Sequence, residues 1–269
     1  MDVAVIGGTG VLGRLVARTL LEGGDEVRLV SRNAPAAGSV AAALVAAGAR
    51  HFAADLRSGR GLAAALDGAD AVVDAANDQR GDKQVIVDGT SRLLEAEAAA
   101  GVGHHVAISI VGIEHVPLGY YRAKLEQERV VANGPVPWSV LRATQFHQLV
   151  DQLFTASSRL RLLPGGRARV QPIDPAVVAA RLADAVQAGP SGRLPQLGGP
   201  RVQTLSELAE AWRAARGRRL PIVPLPLPPR LGRALRDGGL TAPDAAAEGP
   251  DFAQWASRPR EDVAESVLR

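Results

Sequence analysis

The chain has 269 residues, 46% hydrophobic and 22% charged, which are ordinary globular proportions and exclude an intrinsically disordered polypeptide. The formal charge is only +3, lysine occurs only at Lys83 and Lys124, and the arginines are interspersed with acids, so no nucleic-acid surface is expected. Cysteine is absent, which removes disulfides, thiolate metal sites and thiol nucleophiles. No apolar run reaches the roughly 18 residues of a membrane span, and the N-terminus enters a strand without a secretory pattern, so a cytoplasmic protein without membrane contact is expected.

Residues 1–145 alternate short apolar runs with amphipathic stretches. Strands are expected at Val3–Ile6, Glu26–Ser31, His51–Ala54, Ala71–Asp74, Val106–Ser109 and Trp138–Arg142, and helices at Val11–Leu21, Val40–Ala47, Gly61–Leu66, Asp82–Ala100 and Tyr120–Ala132. The strand runs are near-continuous in Val, Ile, Leu and Ala and do not alternate, as expected when helices cover both faces of a parallel sheet. The cadence defines an α/β, Rossmann-type doubly wound sheet. Beyond residue 145 the pattern is interrupted. A hairpin is expected over Arg159–Ile173 around Pro164-Gly165-Gly166, helices over Pro175–Ala188 and Leu205–Ala215, an extended segment over Pro221–Pro229 and a loop over Gly238–Pro250. Residues 146–269 are thus expected to form a small substrate-side lobe on the core of residues 1–145, as a single structural unit.

The first strand runs into Gly7-Gly8-Thr9-Gly10-Val11-Leu12-Gly13. In such a turn Gly7 permits the tight bend, Gly10 admits a pyrophosphate close to the backbone, and Gly13 lets the helix pack on the strand. The helix then offers its free N–H groups to the phosphates. The second strand ends Val30-Ser31-Arg32-Asn33 without the acid that would accept ribose hydroxyls. Arg32 can fork onto a 2′-phosphate, with Ser31 and, from the first helix, Arg14 as helpers, so NADPH is expected over NADH.

Tyr120 and Lys124 are four apart and share a helix face, so the ammonium could stabilise a tyrosinate. Ser109 ends the fifth strand, where its hydroxyl could meet a substrate carbonyl. Tyr121 is the alternative to Tyr120 as the residue facing the site. Gln145, Phe146 and His147 follow the sixth strand on the ligand-binding side and are candidate substrate contacts. Glu114 and His115 lie between Ser109 and Tyr120 in a candidate substrate loop. His51, His104 and His105 fall at the wrong ends of their strands, the last two being expected at the surface or sheet edge. No spacing suggests a metal site.

The motif GGTGVLGR, the VSR strand ending, Ala54-Asp55-Leu56 and Tyr120-Tyr121-Arg122-Ala123-Lys124 resemble the atypical short-chain dehydrogenase/reductases, especially the NmrA-like NAD(P)H-binding group. The resemblance implies that the glycine loop, including Thr9, Val11 and Leu12, cradles the diphosphate. It also implies that Asp55 and Leu56 border the adenine and that Ala75, Ala76 and Asn77 line the ribose and diphosphate. Ser109, Tyr120 and Lys124 match the order of the superfamily's catalytic set, in which the tyrosine protonates a carbonyl oxygen and the lysine also holds the nicotinamide ribose. The expected function is an NADPH-dependent reductase of a small organic carbonyl, quinone, enone or imine. The alternatives are a catalytically silent NADP(H) sensor and an NADP-dependent isomerase or epimerase. A homodimer through the long helices is the pairing the superfamily allows.

Overall fold

The protein is described by a computed structural model that covers residues 1–78, 81–245 and 249–258. Strand β1 (Asp2–Ile6) leads through α1 (Val11–Glu22) to β2 (Glu26–Ser31), α2 (Val40–Ala46), β3 (Arg50–Ala53), α3 (Leu62–Leu66) and β4 (Ala71–Asp74). Helices α4 (Lys83–Ile86) and α5 (Asp88–Ala100), β5 (His104–Ile110), α6 (Gly119–Ala132) and β6 (Trp138–Ala143) follow. The single helix expected over Asp82–Ala100 is therefore two, separated at Val87 (φ −98°, ψ −61°). Val3, Val5, Val72 and Val106 are fully buried, because helices cover both sheet faces.

Every ladder in this sheet is parallel. Its order is β3-β2-β1-β4-β5-β6-β9, with β9 (Gly192–Arg193) a seventh strand that the sequence pattern does not reveal. Strand order runs outward from β1 in one direction and from β4 in the other, so the crevice for a ligand opens at the carboxyl ends of these two.

The expectation for His104 and His105 is corrected. Strand β5 begins at His104, both imidazoles are buried, and each has a buried partner. His104 Nε2 lies 2.9 Å from Ser139 Oγ, and His105 Nδ1 lies 2.9 Å from Glu97 Oε1. Burial opposes charge on His105, yet the Glu97 carboxylate beside it holds the imidazole above its ordinary pKa.

After β6 the chain forms α7 (His147–Ser158), β7 (Leu163–Gly165), β8 (Arg169–Val170) and α8 (Pro175–Ala188), then β9, β10 (Gln203–Thr204) and α9 (Leu205–Ala215). Among the described residues β11 (Ile222–Pro224), α10 (Pro229–Arg236) and α11 (Phe252–Ala256) follow. The hairpin expected over Arg159–Ile173 does not form. Strand β7 pairs parallel with β11, and β8 pairs antiparallel with β10. Gly165 permits the first pairing, since a Cβ there would stand 2.4 Å from Ile222 Cγ2.

Two cores result from the second half of the chain. Helix α8, capped by Asp174 with Pro175 in its first turn, buries Val178 and Leu182 in the same cluster as Val3 and Val5 of β1 and Val16 and Ala17 of α1. Residues past 145 thus complete the sheet's own core. A separate cluster of Val150, Phe154, Leu163, Leu208, Trp212, Phe252 and Trp255 holds the lobe together. No helix among the described residues is long and apolar enough to cross a membrane.

Because Leu182 is 0% exposed between α1 and the sheet, Leu182→Ala is expected to cost about 2–5 kcal/mol of unfolding free energy, read by urea denaturation. A loss under about 1 kcal/mol would detach α8 from the sheet's core.

Candidate dinucleotide and substrate site

The glycine loop is built by close backbone approach. Gly7 adopts φ +74°, a region that favours glycine, and its carbonyl accepts the Gly10 N–H at 2.8 Å. The N–H groups of Gly7 and Gly8 both donate to Val30 O, at 2.9 and 3.1 Å, which ties the loop to β2. A Cβ on Gly13 would lie 2.3 Å from the Gly7 carbonyl oxygen, and one on Gly7 would lie 3.0 Å from the Ala75–Ala76 backbone. Helix α1 therefore seats directly on the loop. Its N-cap, Gly10, supplies no side-chain cap, so the first-turn N–H groups face the crevice as donors for an anion.

A cleft of about 820 Å3 starts at this loop and crosses the carboxyl edge of the sheet. Gly7, Thr9, Gly10, Val11 and Leu12 line one wall, with Ser31, Arg32, Asp55 and Leu56 toward β2 and β3, and Ala75, Ala76 and Asn77 after β4. Tyr120, Tyr121 and Lys124 line it from α6, and Gln145 and Phe146 from beyond β6. Gly13 sits beneath the loop, as its contact with Gly7 requires. The open loop, the uncapped helix and the glycine surfaces that a Cβ would fill suit a dinucleotide diphosphate.

Arg32 is exposed at the cleft edge with no acidic partner among the described residues. Ser31 Oγ donates to Asn33 O at 2.8 Å and lies 3.0 Å from His51 Nε2. His51 was not expected near the site, yet the strand register carries the signal. Leu29 pairs with His51, and Ser31 shares the face of Leu29. Arg14 is buried, and its Nε donates to the Gly10 carbonyl at 3.2 Å, which braces the loop. Burial, with Arg18 nearby, lowers its pKa. Asp55 Oδ1 accepts the Arg57 N–H at 2.9 Å, which closes the turn carrying Leu56 along the cleft.

A buried polar chain supports the middle of the site. Asp74, the last residue of β4, accepts the Ala76 N–H on Oδ1 at 3.0 Å and the Gln127 side-chain amide on Oδ2 at 3.1 Å. Gln127 Oε1 accepts from Lys124 Nζ at 2.6 Å, and Ile108 O accepts from the same ammonium at 2.8 Å. Burial lowers the Lys124 pKa against the pull of Asp74 and Glu128. Asp74 and Gln127 were not read as functional from the sequence, although Gln127 is three residues from Lys124 and shares its face.

The expected Ser109–Tyr120–Lys124 coupling is corrected in two respects. Ser109 Oγ gives its proton to Glu128 Oε1, and that carboxylate also holds Arg142 Nε at 2.8 Å and Arg193 at 2.7 Å. Burial alone would push the Glu128 carboxyl up, but hydrogen bonds from Arg142, Ser109 and Arg193 hold it below the carboxylate range. The serine proton is thereby committed to an anion. Lys124 makes no hydrogen bond to either phenol: Tyr120 Oη donates to Asn77 Oδ1 at 2.9 Å, and burial raises the Tyr120 pKa. Tyr121 is pushed up to about 12 by burial.

His147 is also corrected. It is 0% exposed, its Nε2 donates to Pro250 O at 3.0 Å, and its ring packs against Phe252 and Trp255, away from the cleft wall. Burial drives its pKa down to about 4. Gln145 braces the lobe through Leu240 O at 3.1 Å, and Glu114 pairs with Arg142 at 3.0 Å beside a second cavity of about 490 Å3 that also takes in His115. Gln148, Leu149 and Gln152 of α7 line the main cleft and escaped notice because α7 itself was not expected. Among the described residues no group of three His, Asp or Glu could hold a metal ion.

A glycine loop on β1, an uncapped α1 and a cleft across the β1/β4 edge define a Rossmann-type dinucleotide-binding protein. The chain belongs to the NAD(P)H-binding family, which it matches over residues 7–188. A photosystem II assembly factor, Ycf39, from Trieres chinensis is 34% identical over 160 residues, covering 56% of this chain. The match spans only about half (48%) of that relative. An NADPH-dependent quinone oxidoreductase from Escherichia coli superposes with TM-score 0.75 at 21% identity, covering 95% of this chain and 98% of the other. The same enzyme has been solved complexed with NADPH. A nucleoside-diphosphate-sugar epimerase from Staphylococcus aureus gives TM-score 0.76 at 15% identity, covering 96% and 100%.

The His147 environment has a pH signature. Above its unfolded pKa of roughly 6.5 the imidazole is neutral in both states and has no effect. As pH falls toward about 4 the unfolded chain takes up a proton that the folded one refuses. Stability is expected to fall by up to about 3 kcal/mol across that window, as read by denaturant titration at several pH values. His147→Leu should flatten this part of the profile.

Proposed function

We propose that the protein is an NADPH-dependent reductase of a small organic carbonyl compound, quinones included. The carrying observation is one continuous cleft that runs from the glycine loop past Arg32 to the phenols of α6 and on to α7. The NADPH-bound quinone oxidoreductase of the same fold supports the reading.

When bound, reduced nicotinamide supplies hydride to the carbonyl carbon. The carbonyl π pair moves to oxygen, Tyr120 gives that oxygen its phenolic proton, and solvent at the cleft mouth restores it, so that carbonyl, NADPH and one proton become alcohol and NADP. The raised Tyr120 pKa keeps the phenol protonated, which suits a donor in this direction. Lys124, with two protons used on Ile108 O and Gln127, keeps a third for a ribose hydroxyl. Arg32 grips the 2′-phosphate.

One set of contacts favours a second reading, a dinucleotide-responsive regulator without turnover. Glu128 takes the Ser109 proton, Lys124 stands apart from the phenols, and a relative carries the name of an assembly factor.

The cofactor arm is tested with Arg32→Ala. A charge-assisted bond is worth about 1.5–3 kcal/mol, so NADPH affinity should fall about 10- to 100-fold with NADH affinity unchanged, measured by fluorescence titration. Equal losses would remove Arg32 from the 2′-phosphate. The chemistry is tested by following NADPH oxidation with a panel of quinones and ketones. Tyr120→Phe should then lower kcat about 10²- to 10⁴-fold with NADPH affinity intact. Tight NADPH binding without oxidation of any acceptor would favour the regulator.

A further inference from the structure

Gln148 is the second residue of α7, lines the cleft and is 3% exposed. Its Oε1 and Nε2 are both buried, and neither meets a hydrogen-bond partner among the described residues. A primary amide carries two donors and an acceptor, and burying them without partners is unfavourable unless something else binds them. Nearby buried amides follow the usual rule: Gln127 bridges Asp74 and Lys124, and Gln171 Nε2 donates to Gly199 O at 2.7 Å while its Oε1 accepts from Ala242 N–H at 2.7 Å. Gln148 departs from it on the wall of the site.

A second observation concerns the helix that carries it. The N-cap of α7, Phe146, makes no side-chain cap and lines the cleft; the His147 N–H donates to Ile173 O and the Leu149 N–H to Phe146 O, which leaves the Gln148 N–H as the first-turn donor without a partner among the described residues. Both features favour an oxygen atom of a ligand. The residues that share this part of the wall, Gln145, Phe146, Leu149 and Gln152, carry no charge. An ionic group would find no counter-charge among them.

We propose, on the reductase reading above, that Gln148 is the substrate-anchoring residue, and that the substrate is a neutral carbonyl compound with an O–H or N–H donor beside its carbonyl. The amide N–H donates to the carbonyl oxygen while the amide oxygen accepts from the adjacent donor. A plain ketone satisfies only half of this pair and leaves the amide oxygen buried and unbonded, the arrangement by which a polar site rejects an analogue that lacks one group.

The test uses two isosteric probes, benzamide (carbonyl plus N–H) and acetophenone (carbonyl alone), titrated by ligand-observed NMR into NADP-saturated full-length protein. Wild type should bind benzamide at least 10-fold more tightly than acetophenone. Gln148→Leu should erase that preference by weakening benzamide, and its ligand-free Tm should be equal to or above that of wild type, because an unpartnered buried amide has been removed. Gln148→Met should behave in the same way. Equal affinity of the two probes for wild type, no detectable binding of either, a preference that survives Gln148→Leu, or a clear drop in Tm in both variants would overturn the proposal. Failure of NADP itself to bind, read in the preceding saturation step, would instead overturn the reductase reading.

Discussion

The site depends on how closely α1 approaches the turn that precedes it. With no Cβ at Gly13, the helix comes within contact of the Gly7 carbonyl, and that carbonyl in turn receives Gly10. This contact aims the first-turn N–H groups at the crevice. Any side chain at position 13 would drive the helix and the turn apart, as overpacking does in a well-filled interior. Arg14, next in sequence, adds to the same brace by folding onto Gly10. The diphosphate end of the cleft is thus preformed by the backbone, and its geometry persists whatever the surface arginines do.

A second constraint links that end to the chemistry. Asp74 uses one carboxylate oxygen to shape the Ala75–Asn77 turn and the other to hold Gln127, which in turn holds Lys124. One buried acid therefore sets both the turn after β4 that lines the cleft and the lysine opposite it. The buried amide between acid and lysine also keeps their charges from pairing directly, leaving the ammonium a proton to give. Such a chain is costly when half-satisfied, and here each member has its partner.

The sheet was legible in the sequence because parallel strands covered on both faces are mostly apolar along their length, and β1, β2, β4, β5 and β6 carry such runs despite Arg28 in β2 and Ser139 in β6. The glycine loop and Arg32 were legible because glycine spacing and the absence of an acid after β2 are local facts. Three features were not. Strand β9 is two residues long and gains its place only from pairing with β6. Helix α7 begins without a capping side chain, so nothing announces its start. The Ser109–Tyr120–Lys124 order placed three residue types correctly along the chain but could not show that Glu128, nineteen residues past Ser109, takes the serine proton. That contact depends on Arg142 and Arg193 making the buried carboxylate tolerable, and they arrive from β6 and β9.

The contrast between Glu128 and Gln148 separates the two halves of the cleft. On the sheet side the buried polar groups of the cleft are held by partners within the fold: Ser109 by Glu128, Asp74 by the Ala76 N–H and Gln127, and Lys124 by Gln127 and Ile108 O with one proton left over. Such a wall is rigid and suits a cofactor of fixed shape. On the lobe side, the Gln148 side chain retains an unspent donor and acceptor, and its backbone N–H in the first turn of α7 is likewise without a partner among the described residues. A polar surface left unsatisfied by the fold is one whose energy can be recovered only by what binds, which makes it a source of discrimination between ligands more than of stability. The lobe, held by its own aromatic cluster of Phe154, Trp212, Phe252 and Trp255, can then vary the substrate end without disturbing the dinucleotide end.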